Sequence, residues 1–127
     1  MAKAKIPQPT EKELAILRIL WDKGPSTVRQ INDAMNEKEP TGYTTTLKLM
    51  QIMTEKKLLI RDDSKFRHIY EPAISQEQTQ GRLVGDLLEK AFAGSAEKLV
   101  MRALSAKKVS QKELAKIKKM IEKLEGE

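Results

Sequence analysis

The sequence predicts a mainly α-helical fold carrying one small β-hairpin, and three observations predict it. Aromatic residues make up 4% of the 127, so the core has to be built from Leu, Ile, Met, Val and Ala, a composition that favours helices. Apolar residues recur at three- and four-residue spacing behind Ser and Thr helix-start signals over most of the chain. Residues 58–72 alone break that period, with short apolar and alternating runs around a polar turn.

Residues 1–9 hold two prolines and no periodicity and read as a flexible basic arm. Thr10 and Glu13 form a T-x-x-E capping box, after which Leu14, Leu17, Ile19, Leu20 and Trp21 give an apolar stripe stopped by Gly24-Pro25. Ser26 or Thr27 opens a second helix, with Gln30 at the box position for Thr27 and Val28, Ile31, Ala34 and Met35 as apolar positions. Beyond a polar loop at 36–42, a third helix from Tyr43 to Lys57 sets Leu49, Met50 and Met53 on one side and Thr45, Lys48 and Gln51 off it. Leu58-Leu59-Ile60 reads as a strand and residues 62–65 as a turn; Phe66, His68 and Tyr70 then alternate in a second strand ending at Pro72, with Phe66 and Tyr70 facing inward.

Past Pro72 the period is helical again. Ser75 caps a helix bearing Leu83, Val84, Leu87, Leu88, Ala91 and Phe92, and Gly94-Ser95 breaks it. Ala96, Leu99, Val100, Ala103 and Leu104 mark another helix. Ser110 boxes with Glu113 to open a last one, whose Leu114, Ile117, Ile121 and Leu124 are spaced as a coiled-coil seam.

Three helices followed by a hairpin is the order of a winged helix-turn-helix, which assigns residues 10–72 to that domain and the hairpin to its wing. Residues 73–127 form a helical arm too small to bury a core by itself. A second copy of the chain is the cheapest partner, so Leu83, Leu87, Leu88, Phe92, Leu99, Leu114, Ile117, Ile121 and Leu124 are its expected homodimerisation surface. The alternative is that the arm folds back on residues 10–72 as one monomeric core.

The chain carries 24 Lys+Arg against 18 Asp+Glu, a net charge of +6, which raises an anionic partner, nucleic acid before membrane. The excess is spread evenly, 13 basic against 10 acidic residues in 1–72 and 11 against 8 in 73–127. Affinity for DNA must therefore come from local placement. Lys116, Lys118, Lys119 and Lys123 read as the solvent face of the last helix. With no cysteine and with His68 the single histidine, no metal or cofactor is expected. No signal-peptide core and no 18-residue apolar run occur, so a cytoplasmic protein without membrane insertion is expected. Phosphate-loop, nucleophile-elbow and zinc-protease motifs are missing, and Asp62, Asp63, Glu37 and Glu39 lie in loops as solvated surface, so an enzyme is not expected.

A recognition helix needs short polar groups at its start, where free backbone N–H groups favour phosphate, and long donors one turn later to reach base edges. Thr44, Thr45, Lys48 and Gln51 fit that pattern in the third helix. Arg61, Lys65 and Arg67 supply wing cations, and Asp62 and Asp63 between them weaken that signal. His68 is either a structural strand residue or a wing contact to phosphate. Double-stranded DNA is the expected partner; the competing reading is a nonspecific nucleoid-type or protein-interaction winged helix.

Residues Thr10 to Glu13 through Ile19-Leu20-Trp21, the run GlyProSerThrValArg at 24–29, TyrThrThrThr at 43–46, Lys56 before Leu58, HisIleTyrGluPro at 68–72 and PheAlaGlySer at 92–95 occur in an order and spacing that resembles the penicillinase-repressor family. The resemblance covers residues 10–125. It implies a dimeric bacterial transcriptional repressor whose winged helix binds a palindromic operator and whose helical arm entwines with its mate, in a family that commonly controls β-lactam-resistance or copper genes. It places Thr44, Thr45 and Lys48 on bases and phosphates, and Arg67 and His68 on the wing. Lys57 stands where relatives usually carry the glycine closing the third helix, a left-handed position that costs a lysine about 1 kcal/mol, and Ile52 stands where many carry arginine. The copper-responsive branch senses metal through C-terminal cysteines, which this chain lacks. The β-lactam branch implies a membrane sensor-protease system as partner and cleavage within the arm, where Arg102-Ala103 replaces an Asn-Phe pair.

Overall fold

In the computed structural model, which describes residues 6–127, five of the six helices begin where a Ser or Thr hydroxyl accepts an otherwise unpaired backbone N–H. Thr10 caps α1 (Glu11–Lys23) and Thr27 caps α2 (Val28–Asn36), each inside a full capping box with Glu13 or Gln30. Ser75 opens α4 (Gln76–Phe92) by accepting from the Gln78 N–H at 3.0 Å. Ser95 and Ser110 cap α5 (Ala96–Ala106) and α6 (Gln111–Glu125). The exception is α3 (Tyr43–Glu55), whose cap position is Gly42 with no side-chain hydrogen bond. Its first-turn N–H groups are thus left for another acceptor.

Helices α1, α2 and α3 pack around Ile16, Leu17, Leu20, Val28, Ile31, Met50 and Met53, closed by Leu58, Leu59, Tyr70 and Ile74. The apolar stripe expected on α1 is shifted: Ile16 joins Leu17 and Leu20 at its centre, while Leu14, Ile19 and Trp21 are half-buried. Trp21 donates its indole N–H to the Ile74 carbonyl at 3.1 Å, tying α1 to the chain entering α4.

The α2–α3 turn is held by a polar cluster that hydrophobic patterning does not reveal. Buried Asn32 donates to the Thr41 carbonyl at 2.9 Å and to the Thr46 hydroxyl at 2.8 Å, and Asn36 donates to the same carbonyl while accepting the Thr41 N–H. Thr46 is fully buried. Three consecutive threonines are poor helix formers, and the bond to Asn32 together with packing on Met35 secures that turn of α3.

Lys57 closes α3 in the left-handed region at φ 67, as the departure from glycine requires. The Leu58 N–H reaches back to the Met53 carbonyl at 2.8 Å and the Lys57 N–H to Thr54 at 3.1 Å, with Met53 and Leu58 both buried beneath the turn. The hairpin pairs β1 (Leu59–Asp62) antiparallel with β2 (Ile69–Pro72) in the register Arg61 opposite Tyr70. Ser26, just before α2, adds a one-residue bridge to Tyr70, with bonds of 3.0 and 2.8 Å exchanged between their backbones.

The second strand is shorter than its alternation suggests. Phe66 is fully exposed and His68 lies outside the ladder, so Phe66 and His68 belong to the wing loop and only Tyr70 points inward. A large loop after Asp62 replaces a tight turn because Asp62 accepts the Ser64 N–H and hydroxyl at 2.9 and 2.6 Å, curling the chain away from the strand direction.

Two compact units emerge, the first running to Leu83 and the second from Val84 to Glu127. The first extends past Pro72 because Ile74 and Thr79 are buried in it and Arg82 donates to the Ile6 carbonyl. Ile6 also packs on the core; residues 1–5 of the expected basic arm lie outside the described residues. In the second unit α4 ends as expected before Gly94-Ser95, with Ala93 and Gly94 both at positive φ. No residue of α5 or α6 is buried.

Candidate nucleic-acid interface

The exposed face of α3 is built by exclusion. Thr46, Met50 and Met53 take the core side, which turns Thr44, Thr45, Lys48 and Gln51 outward at the spacing of one helical face. All four are exposed, with Thr44 and Thr45 in the uncapped first turn, where the helix dipole and free N–H groups favour an anion.

Beside that helix stands the wing, where Arg61, Lys65, Arg67 and His68 are all exposed. Their charges are not equally available. Asp63 pairs with Arg61 through Nε at 2.7 Å and accepts from Nη2 at 3.1 Å, and the same carboxylate lies 2.6 Å from His68 Nδ1. Hydrogen bonding to Asp63 holds the Arg61 guanidinium above its usual range, and the Ser64 bonds hold the Asp62 carboxyl below its own. Among the described residues, no ion pair engages Lys65 or Arg67. His68, read from sequence as either a strand residue or a wing contact, is thus a solvent-facing side chain leaning on Asp63.

Three further residues join this surface that sequence reasoning did not single out. Arg29 lies with its guanidinium carbon 4.8 Å from the Tyr43 ring centroid. Both line a groove of about 370 Å³ with Leu47 of α3 and with Phe66, Arg67 and His68 of the wing. The Arg29 to Tyr43 separation in sequence carries no periodic signal, and only the α2–α3 turn brings them together.

The residues expected at the dimer surface are exposed or half-buried: Leu87 is 50%, Ile121 48% and Leu124 63% exposed, and Leu83, Leu88, Phe92, Leu99 and Ile117 are half-buried. Val84, Met101 and Met120 add to the exposed apolar surface and were not among them. Arg102 and Ala103 are exposed within α5. No helix among the described residues is long and apolar enough to cross a membrane.

Comparison with known proteins gives a consistent answer. The chain is 32% identical over 91 residues to the transcriptional regulator BlaI of Mycobacterium tuberculosis, in both strain CDC 1551 / Oshkosh and strain H37Rv; the match takes in 69% of this chain and 64% of that regulator, a little under two thirds of its length. Its fold is similar to the solution structure of the monomeric form of Bacillus licheniformis BlaI in complex with the blaP half-operator, with a TM-score of 0.51 at 18% identity over 57% of this chain and 89% of that one. The neighbour bears out the winged-helix architecture. With the penicillinase repressor profile matching residues 9–123, the chain belongs to the penicillinase repressor family.

Proposed function

We propose that this chain is a dimeric, cytoplasmic transcriptional repressor that binds a palindromic operator through α3 and the wing. The observation that carries the reading is the uncapped start of α3, which offers free N–H groups beside Thr44 and Thr45 while Lys48 and Gln51 stand one and two turns further on. Lys48 and Gln51 are the base-reading candidates; Thr44, Thr45, Lys65 and Arg67 hold phosphates, and Arg61 and His68 join them once Asp63 yields. Support comes from the family and from the Bacillus licheniformis relative, whose structure contains a half-operator.

Dimerisation supplies the second half-site. Helices α5 and α6 have no fully buried residue and expose Val100, Met101, Leu114, Met120, Ile121 and Leu124. Apolar surface of that extent on a helical unit is stabilised by a partner, and a second copy satisfies it symmetrically. Release follows from weakening the dimer, with a membrane sensor-protease system acting on the exposed Arg102-Ala103 stretch. Because that stretch is helical, cleavage requires local unfolding of α5, a helix with no buried residue to resist it.

Selecting binding sites from a random duplex pool, followed by competition against unselected duplex, tests the reading. A repressor returns a palindrome and prefers it by roughly 10³ or more. A ratio near unity would assign the chain to nonspecific binding instead.

A further inference from the structure

We propose that the groove between the start of α2, the first turn of α3 and the wing seats the operator's sugar–phosphate backbone, with Arg29 as its anchoring cation and Tyr43 as the residue that positions it. This rests on the reading of α3 and the wing as a DNA interface. The groove holds about 370 Å³ between Thr27 and Arg29 on one side, Tyr43 and Leu47 on another and Arg67 on the wing, and no acidic side chain lines it.

The cation–π contact with Tyr43, 4.8 Å from guanidinium carbon to ring centroid, favours one placement of the Arg29 head group, and no ion pair among the described residues engages it. A planar fork matches the two non-bridging oxygens of a phosphodiester, and one already placed beside a ring loses less side-chain entropy on binding than a free one. The other cations nearby are differently placed. Arg61 and His68 are drawn onto Asp63, so each gives up an internal partner before it meets a phosphate. Arg29 and Arg67, which line the same groove, meet the anion without that exchange. Phe66, fully exposed on the groove's rim, provides an apolar surface for a deoxyribose rather than for a charged group.

Binding of the full-length protein to the selected palindrome and to random duplex, measured across salt concentration, tests the assignment. Arg29→Ala should weaken both duplexes alike, by about tenfold per half-site, and lower the salt slope by about one per subunit. Arg29→Lys keeps the charge without the fork, and should recover the slope but only part of the affinity. Tyr43→Phe should match the unmodified protein, whereas Tyr43→Ala should weaken binding only when Arg29 is present. Neutral methylphosphonate placed in turn along the operator backbone should reveal one position that costs the unmodified protein affinity and leaves Arg29→Ala indifferent. Unchanged affinity and slope for Arg29→Ala overturn the proposal, as does a loss confined to the palindrome, which would make Arg29 a base reader. Failure of the unmodified protein to prefer the palindrome at all would strike the underlying DNA reading instead.

Discussion

Lys57 holds a left-handed backbone at φ 67 where a Cβ is disfavoured, and it does so because the turn lets Leu58 follow Met53 into the core. Lys57→Gly should therefore stabilise the first unit by about 0.5–1 kcal/mol, the relief of strain exceeding the entropy that glycine adds to the unfolded chain, as a raised urea midpoint with an unchanged slope would show. Glu13 is the buried charge of the same unit, 2% exposed and 2.9 Å from the Lys56 ammonium. Burial works to raise its carboxyl, but the Thr10 N–H and Lys56 together hold it below its ordinary 4.5. A carboxyl that titrates lower when folded binds fewer protons in the native state, so its contribution is complete above the unfolded value and is lost as pH falls through the folded one. Glu13→Gln keeps the cap acceptor and loses the ion pair. It should cost about 1–2 kcal/mol at pH 7 and lose less stability than the unmodified protein below pH 4.5, as urea melts at both pH values would report.

Among the elements, the α2–α3 turn and the wing decide how the interface is presented. Asn32 spans the turn through two bonds to Thr41 and Thr46, and its replacement by alanine strands the buried Thr46 hydroxyl with only a long contact to Met35 sulfur. Asn32→Ala should cost about 2 kcal/mol in unfolding and weaken operator binding beyond what the population of unfolded protein explains, because α3 loses its fixed angle to α2. The wing is held in check by one carboxylate. Asp63→Asn should free Arg61 and His68 for phosphate, raising affinity for any duplex several-fold and steepening the salt slope; equal or weaker binding would show that Asp63 serves to shape the wing.

At the scale of the whole molecule, the helices differ in what holds them. Residues through Leu83 enclose their own core, with Ile74 and Thr79 buried beyond Pro72. A chain ending at Leu83 should unfold cooperatively, while one ending at Pro72 should lose the Trp21 to Ile74 bond and melt lower or not fold at all. The helices from Val84 on expose most of their apolar residues, so the full-length protein should sediment as a dimer at tens of micromolar and the chain ending at Leu83 as a monomer. Operator affinity should fall by orders of magnitude between them, because the second half-site is no longer linked to the first.

The element order, the caps at Thr10, Thr27, Ser75 and Ser110, and the outward residues of α3 were legible in the amino-acid sequence, because each is set by signals within three or four residues of itself, whereas Ser95, read there only as part of a helix break, also caps α5. So was the left-handed turn at Lys57, through comparison with the family's glycine. What escaped depends on residues far apart in the chain. The Asn32 to Thr46 bond, the Ser26 to Tyr70 bridge and the Lys56 to Glu13 pair link positions with no shared period, and Phe66 kept an alternating pattern while the Asp62 turn carried it off the strand. Tertiary structure alone decided which wing cations are free, since His68 reaches the Asp63 carboxylate that Arg61 also holds only once the wing loop has folded back. It also brought Arg29 onto Tyr43. Local chemistry starts and stops helices, but pairing distant polar groups requires the chain to have already folded around them.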